Sequence, residues 1–287
     1  MIRVNNVLFN TADLHPHIAA MVESDPLFSK LPTTLLGTAN TKTIKGEKLG
    51  VLTGILYLSP ADSVSPKLNI CPYADIAGCK AGCLNTAGRG AFSNVQRARI
   101  RKTLMWSQYH ESFMALLVRD IERLQRKAKR ENMTLAIRLN GTSDIQWEKQ
   151  YPIGWANYRR RWLPEHQQNC NIFEIFPNVQ FYDYTKIPGR TVPANYHLTF
   201  SYSGVAGFER VVAKQLRHNP DTNLAVVFSG KLPEKAYVQG EIGWLGRTVV
   251  DGDASDVRYQ DPAGVIGGLT AKGKAKNDTS GFVVAGA

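Results

Sequence analysis

Short apolar runs that end in polar residues recur along the chain and predict buried β-strands. The first run, Val51–Leu58, is apolar along most of its length, which is typical of a strand covered on both faces. Four similar runs follow at Leu135–Asn140, Val179–Tyr184, Tyr196–Phe200 and Leu224–Phe228, and two more are predicted near Arg247–Val250 and Val265–Leu269. Strands of this kind occur in parallel sheets that helices cover, so the pattern predicts an α/β fold.

The longest helical pattern runs over Asn94–Glu131, with a break predicted near Ser107. Apolar residues recur there at helical spacing, at Phe113, Leu116, Leu117, Ile121 and Leu124, as expected for an amphipathic helix. The connection Ile187–Asn195, by contrast, is short and contains two prolines, which leaves hardly a turn of helix between two strands. We therefore predict a partial or irregular (β/α) barrel with mainly parallel strands rather than a complete eightfold barrel.

Residues 1–46 are turn-rich, and Pro16, Pro26 and Pro32 interrupt any long helix. We expect this segment to form an N-terminal cap of short helices, followed by a single barrel-like domain over residues 47–287. The chain is 43% hydrophobic and 21% charged, as globular proteins are. No apolar run approaches the roughly 18 to 20 residues of a membrane span, and the first residues do not read as a secretion signal. A cytoplasmic location without a membrane partner is therefore predicted.

Three of the four cysteines lie within thirteen residues, shortly after the first predicted strand. Cys71, Cys79 and Cys83 have the spacing C-x7-C-x3-C, with small residues between them. Because cytoplasmic cysteines stay reduced, such a cluster favours metal binding over disulfides. One helical turn would place Cys79 and Cys83 on the same face, and Pro72 and Gly78 suit a loop that brings Cys71 back beside them.

Three converging thiolates with an open fourth position suit a 4Fe–4S cluster that has one exchangeable iron. The fourth cysteine, Cys170, lies 87 residues downstream of Cys83, and as a fourth ligand it would close either a cluster or a structural zinc site. Zinc is the alternative metal, but structural zinc sites usually contain two short C-x2–4-C pairs and this chain has one. Ordinary buried thiols are the remaining interpretation.

Several separated motifs also occur along the chain, at Asn69–Pro72, Gly78–Cys79, Cys83, Gly88–Gly90, Arg138–Glu148, Phe181–Lys186 and Asp251–Asp253. In this order they resemble the bacteriophage gene product 88 domain family, over a match of about Thr41 to Val284. The resemblance implies a phage-encoded protein that acts in the host cytoplasm. It implies no particular reaction.

A more distant similarity is to radical S-adenosylmethionine enzymes, whose partial barrel binds a 4Fe–4S cluster through three cysteines in the loop after the first strand. This chain has the same order of strand, three-cysteine loop, helix, strand and polar turn. The similarity implies S-adenosylmethionine as a cofactor, with Asn140, Thr142 and Asp144 holding its amino group. The cysteine spacing differs, since those enzymes usually have C-x3-C-x2-C.

Further candidates lie at predicted strand ends, where α/β barrels place ligands and catalytic residues. Asp144, Lys186 and Asp251 are the candidates for catalytic roles. Asp253 is the candidate for holding a ribose, a second cation or a basic substrate group. The alternatives are an ordinary acidic turn for the two later aspartates and a solvated strand end for Lys186.

Positive charge is concentrated in two places within a chain of formal net charge +11. Asn94–Glu131 contains ten Lys or Arg and four acidic residues, and Arg159–Arg161 adds a second cluster. Contacts from such residues to phosphates dominate nucleic-acid affinity, so a nucleic-acid partner is predicted, with a solvated helix face as the alternative.

The leading functional hypothesis is a phage-encoded iron–sulfur protein that acts as a radical-type or other cluster-dependent enzyme. The alternative is a nucleic-acid-associated protein with a structural iron–sulfur or zinc site.

Overall fold

The computed structural model describes residues 9–38, 41–150, 170–240 and 243–287, and its centre is one mixed sheet. The strands are β1 Leu36–Gly37, β2 Val51–Leu56, β3 Thr134–Arg138, β4 Gln180–Thr185, β5 Tyr196–Ser201, β6 Leu224–Ser229, β7 Lys235–Gly240, β8 Gly243–Asp251, β9 Ile266–Thr270 and β10 Val284–Ala285. The helices are α1 Pro16–Ser24, α2 Thr41–Glu47, α3 Ser93–Gln108, α4 His110–Arg130, α5 Ile172–Ile175 and α6 Glu209–His218.

The sheet has the order β1-β2-β3-β4-β5-β6-β9-β8-β7, and β10 pairs with the end of β6. All pairs from β2 through β9 to β8 are parallel, whereas β1 and β7 pair antiparallel at the two ends. Within the described residues the two end strands do not pair with each other, so the sheet is open. The predicted mixed α/β fold with mainly parallel strands is confirmed.

The finer predictions about the sheet and its N-terminal segment have a different outcome. A partial barrel stays a prediction, because the pairing shows an open sheet and no closure. The N-terminal segment does contain short helices, but its β1 pairs with β2 and so extends the sheet. In addition, α2 crosses the boundary that was predicted at residue 46.

The predicted long helix is present as α3 and α4, with the break at Tyr109, two residues beyond Ser107. Tyr109 has φ −132° and ψ 49°, which interrupts the helical backbone between them. The apolar face of α4 is buried, with Phe113, Leu117 and Ile121 fully enclosed in the largest core cluster. That packing places α4 against β2 and β3. The neighbouring helix α3 packs on α4 and contacts the chain that follows the cysteine loop.

The remaining predicted strands agree with β4, β5, β6, β8 and β9 within a few residues. The connection Ile187–Asn195 contains no helix, as its two prolines predicted. The sequence analysis did not predict α6 or the hairpin formed by β7 and β8. None of the helices in the described ranges has the length and apolar character that crossing a membrane requires.

Candidate functional site at the carboxyl edge of the sheet

The carboxyl ends of the parallel strands surround a cavity of about 200 Å³. Most of its wall comes from four segments: the cysteine loop after β2, the turn after β3, the end of β4, and the chain from the end of β9 to Phe282. Residues of β5 and β6 and Asp253, in the turn after β8, complete it. Ligand sites of α/β proteins lie at this edge because neighbouring parallel strands end there side by side. The predicted candidates Cys71, Cys79 and Cys83 all line this one cavity.

The cysteine loop is a series of turns rather than the predicted helical turn. The sulfur of Cys71 accepts a hydrogen bond from the backbone N–H of Ala61 at 3.3 Å, and the sulfur of Cys83 accepts one from Asn85 N–H at 3.5 Å. Burial raises the pKa of Cys71 to about 12, and the charges of Asp144 and of the two other cysteines add to the rise. The three thiols are therefore half-buried, near one another and protonated at neutral pH.

The loop that follows Cys83 is held by two side chains of α3. Arg99 donates to the backbone oxygen of Asn85 at 3.3 Å and to its side-chain oxygen, and its guanidinium lies 5.0 Å from the centre of the Tyr57 ring. Gln96 donates to the Asn85 oxygen at 2.8 Å and to the oxygen of Gly90. Sequence reasoning missed these positioning residues, because a basic helix gives no sign of which arginine is buried.

The turn after β3 forms the wall next to Cys71, whose thiol lies 3.8 Å from the backbone oxygen of Thr142. The side-chain oxygen of Asn140 accepts hydrogen bonds from Ser143 at 2.9 Å and from Ile145 N–H and the Trp147 indole at 3.0 Å. The hydroxyl of Thr142 donates to the oxygen of Leu58 at 2.5 Å. Asn140 and Thr142, two of the four predicted cofactor-binding residues, line the cavity, but these polar atoms hold the turn itself.

Gly141 lets this turn approach the end of β2. Its N–H donates to the oxygen of Leu56 at 3.0 Å. A Cβ at this position would lie 2.6 Å from that oxygen and 2.7 Å from the Tyr57 ring. Because backbone cannot give way as a flexible side chain can, only glycine fits here.

Asp144 joins the β3 turn to the end of β4. Its carboxylate accepts hydrogen bonds from the Thr185 hydroxyl and from Lys186 N–H, both at 2.8 Å, and lies 3.5 Å from an Arg190 nitrogen. Its own N–H donates to the oxygen of Ile70, just before Cys71. Burial raises the pKa of this carboxyl group, and the hydrogen bonds and Arg190 oppose the rise. Asp144 lines the cavity and links two parts of its wall.

Lys186 is buried in the same wall. Its ammonium donates to the oxygens of Ser201 at 3.0 Å and Tyr202 at 3.3 Å, and lies 5.0 Å from the centre of the Phe282 ring. Burial lowers the pKa of Lys186, while the charges of Cys79 and Asp144 oppose that fall. The alternative of a solvated strand end does not hold for Lys186, which is 8% exposed and lines the cavity.

Asp251 and Asp253 have different surroundings in the structure. Asp253 lines the cavity, accepts from Thr270 N–H at 3.0 Å and pairs with Lys272. Asp251 is exposed, does not line the cavity, and accepts from the backbone N–H groups of Asp253 and Ala254 at 2.8 and 3.2 Å. In this arrangement Asp251 shapes the turn that carries Asp253.

Cys170 lies away from the other three cysteines. It immediately precedes Asn171, whose side chain caps α5 through the N–H groups of Phe173 and Glu174. That helix leads into the amino end of β4, whereas the cavity lies at the carboxyl ends, and Cys170 does not line it. The structure thus brings together three of the four predicted ligands. Arg159–Arg161 fall outside the described residues.

The donor set of the cavity suits a thiolate-bound group, since three cysteines face it. As the chain stands, no group of three or more His, Cys, Asp or Glu among the described residues is arranged around a metal position. Ligation would therefore require the turns of the cysteine loop to bring their sulfurs closer together. Small neighbours such as Ala74 and Gly82, which also line the cavity, leave room for that adjustment.

The basic segment predicted to bind nucleic acid makes many contacts within the chain. Arg97 pairs with Asp25 at 2.8 Å, and Arg101 donates to the oxygen of Leu27 at 3.0 Å. Two more side chains of the segment reach the oxygens of residues just before β1, Lys102 to Leu35 at 2.6 Å and Arg119 to Thr33 at 2.9 Å. These side chains hold the N-terminal segment against α3 and α4.

A second cavity, of about 460 Å³, was missed by sequence reasoning. It is lined by the helix-free connection Ile187–Asn195, by β5 and by the end of α6, with His197 and His218 among its residues. Thr185 and Arg190 line it too, and both contact Asp144 of the first cavity. The signal that could have found it was the short, proline-containing connection, which leaves one stretch of sheet without a covering helix.

Comparison with known proteins adds one finding. Searches of the curated proteins and of the solved structures give no match, and the more distant similarity to radical S-adenosylmethionine enzymes gains no support from them. The family model described as Gene product 88 matches residues 33–286. That match includes every strand of the sheet and all four walls of the cavity. The chain therefore belongs to the gene product 88 family.

Proposed function

We propose that the cavity binds an iron–sulfur cluster through Cys71, Cys79 and Cys83, and that the protein is a cluster-dependent enzyme. The observation that carries this proposal is that three cysteines from one loop line one cavity beside Asp144 and Lys186. Three protein thiolates would leave one iron open to a substrate or cofactor, as catalytic clusters require. A closed zinc site needs a fourth ligand, and Cys170 lies elsewhere.

Two cations beside Cys79 and Cys83 favour the ionisation of these thiols on ligation, whereas the charge of Asp144 opposes it at Cys71 and Cys79. Burial raises the pKa of the Cys79 thiol, and the ammonium of Lys186 counteracts this. Burial likewise raises the pKa of the Cys83 thiol, which Asn85 N–H and Arg99 counteract. Ligands must lose their protons when a metal binds, so two neighbouring cations stabilise the negative charge that results.

The other residues of the cavity have separate roles in this proposal. Asp144 and Lys186 are a carboxylate and an amine at the cavity wall and would hold or transfer a proton of the substrate. Asn140 and Thr142 keep the β3 turn in shape. S-adenosylmethionine is the predicted co-substrate of a radical-type reaction on a partial barrel, and Asp144 and Asp253 are the carboxylates that would meet its amino group or ribose.

The test is anaerobic purification and reconstitution, with measurement of iron, sulfide and visible absorption. Cys79→Ala is expected to lose most of the bound iron. Cys170→Ala, which removes a thiol outside the cavity, is the matched control and is expected to keep it. A colourless protein that contains zinc, or equal iron loss in both variants, would contradict the proposal. A change in the visible spectrum on adding S-adenosylmethionine would support the radical-type reaction.

A further inference from the structure

We propose that the substrate of this cavity is a single strand of nucleic acid, bound by a basic rim at the cavity mouth. The basic rim consists of Arg89, Lys274 and Lys276. This inference rests on the proposed function, because it names the substrate class of the same site. It places the nucleic-acid contact at the carboxyl edge of the sheet rather than on α3 and α4.

The rim residues are carried by two short 3-10 helices next to the cavity. Gly88–Ala91 contains Arg89, and Gly273–Asn277 contains both lysines. The second helix packs on the cysteine loop: a Cβ at Gly82 would lie 3.3 Å from Ala275, and one at Gly273 would lie 3.0 Å from Ala87. Gly82 and Ala275 both line the cavity, so the second helix forms part of its border, and the contact between Gly273 and Ala87 places the first helix beside it.

The charged residues of this border are all basic. Residues 84–92 and 272–277 contain four Lys or Arg and no acidic residue. Lys272 pairs with Asp253. The three rim side chains are exposed, and no acidic partner is assigned to them within the ranges that the structure describes. Such cations are free to contact phosphates, in contrast to basic residues that hold the fold.

Apolar and aromatic groups accompany the cations. Leu84 lines the cavity and is 45% exposed, and Phe92 at the end of the first 3-10 helix is 58% exposed. Single-stranded nucleic acids bind to surfaces that combine positive charge for the backbone with aromatic or apolar groups for the bases. The border of the cavity has both kinds of group.

The interior suits one unstacked base. Tyr73, Tyr184 and Phe282 line it with aromatic rings. The hydroxyl of Tyr184 is buried and has no hydrogen-bond partner among the described residues, and the Arg138 guanidinium lies 4.7 Å from the centre of its ring. A base inside a duplex cannot reach such a cavity, so the geometry selects a single strand.

The experiment measures binding of a fluorescein-labelled thymidine oligonucleotide to the cluster-free full chain by fluorescence anisotropy, over a range of salt concentrations. The triple variant Arg89→Ala, Lys274→Ala, Lys276→Ala is expected to weaken binding at least about tenfold at low salt. It should also reduce the slope of log affinity against log salt by about 2, because three phosphate contacts are lost. The control is Arg126→Ala, Lys129→Ala, Arg130→Ala, which removes the same charge from exposed positions of α4 and should bind as wild type.

Equal weakening in both triple variants, no binding by the wild type, or binding of a duplex as tight as that of the single strand would overturn the inference. Tight binding of a mononucleotide alone would overturn it as well. Because the assay uses the cluster-free protein, its failure is distinct from failure of the proposed function. Iron content of the rim variant, expected to equal the wild type, separates the two further.

Discussion

The basic segment on α3 and α4 and the basic rim at the cavity mouth carry the same type of charge in different surroundings. On α3 and α4 the cations reach carbonyl groups and carboxylates of the N-terminal segment, as Arg97 does with Asp25 and Lys102 with Leu35. At the rim they extend into solvent from two short helices beside a cavity. The first region uses its charge for folding, and the second has it available for a partner.

The comparison shows what the density of Lys and Arg in a sequence does and does not indicate. Ten such residues between Asn94 and Glu131 point to nucleic acid, because phosphate binding needs clustered charge. Many of them, however, have partners from chain segments 65 or more residues away, such as Leu27 for Arg101 and Leu35 for Lys102. Three exposed cations beside a cavity are therefore better candidates for phosphate contacts than the four basic residues that hold the N-terminal segment.

Replacing Arg99 should give the largest effect. Arg99 is only 8% exposed and holds the Asn85 loop against α3. Arg99→Met removes charge-assisted hydrogen bonds and takes the Arg99 partner from the buried side-chain oxygen of Asn85, so we expect the free energy of unfolding to fall by about 3 kcal/mol. Urea denaturation measures the loss, and the exposed Arg126→Met serves as control, with an expected change below about 0.5 kcal/mol. Similar values for the two variants would show that α3 does not hold the loop.

Lys102 should give a smaller effect that depends on pH. Burial lowers its pKa from 10.5 to about 8, with Asp120 opposing the shift. Between those two pH values the unfolded chain binds more protons than the folded one, so raising the pH from about 8 to about 10.5 stabilises the fold. We expect this gain to be about 2 kcal/mol. The gain in stability should be absent from Lys102→Met. The other titrating groups are common to both proteins, so the difference between their urea denaturation curves across this pH range isolates the contribution of Lys102. Parallel curves for the two proteins would contradict the burial of this lysine.

The sequence predicts the parts of this fold that depend on local pattern. Apolar runs such as Val51–Leu58 and helical spacing from Phe113 to Leu124 are local signals, and β2 and α4 are found where they indicate. The convergence of Cys71 and Asp144 on one cavity was also predictable, because parallel strands end at the same edge.

Other features depend on contacts between distant segments and leave no local signal. The sequence position of Asn140 predicts a cofactor-binding residue. In the structure its side-chain oxygen instead accepts hydrogen bonds from Ile145 N–H and the Trp147 indole within its own turn. Cys170 precedes a strand, whereas the other cysteines follow one. Its separation from them can be recognised only when the order of the strands is known. The burial of Arg99 is likewise a tertiary property.

The smallest expected effect on the free energy of unfolding is at the basic rim. Lys274 and Lys276 extend into solvent from a helix held by Ala275, which is buried between them. Lys274→Ala with Lys276→Ala removes no internal contact that the structure assigns, so the free energy of unfolding should change by less than about 0.5 kcal/mol. Urea denaturation at neutral pH measures this, with Ala275→Asp as a contrast that places a charge against Gly82 and should destabilise strongly. A large loss in the double-lysine variant would mean that the rim, like α3 and α4, holds the fold, and the distinction between the two basic regions would then fail.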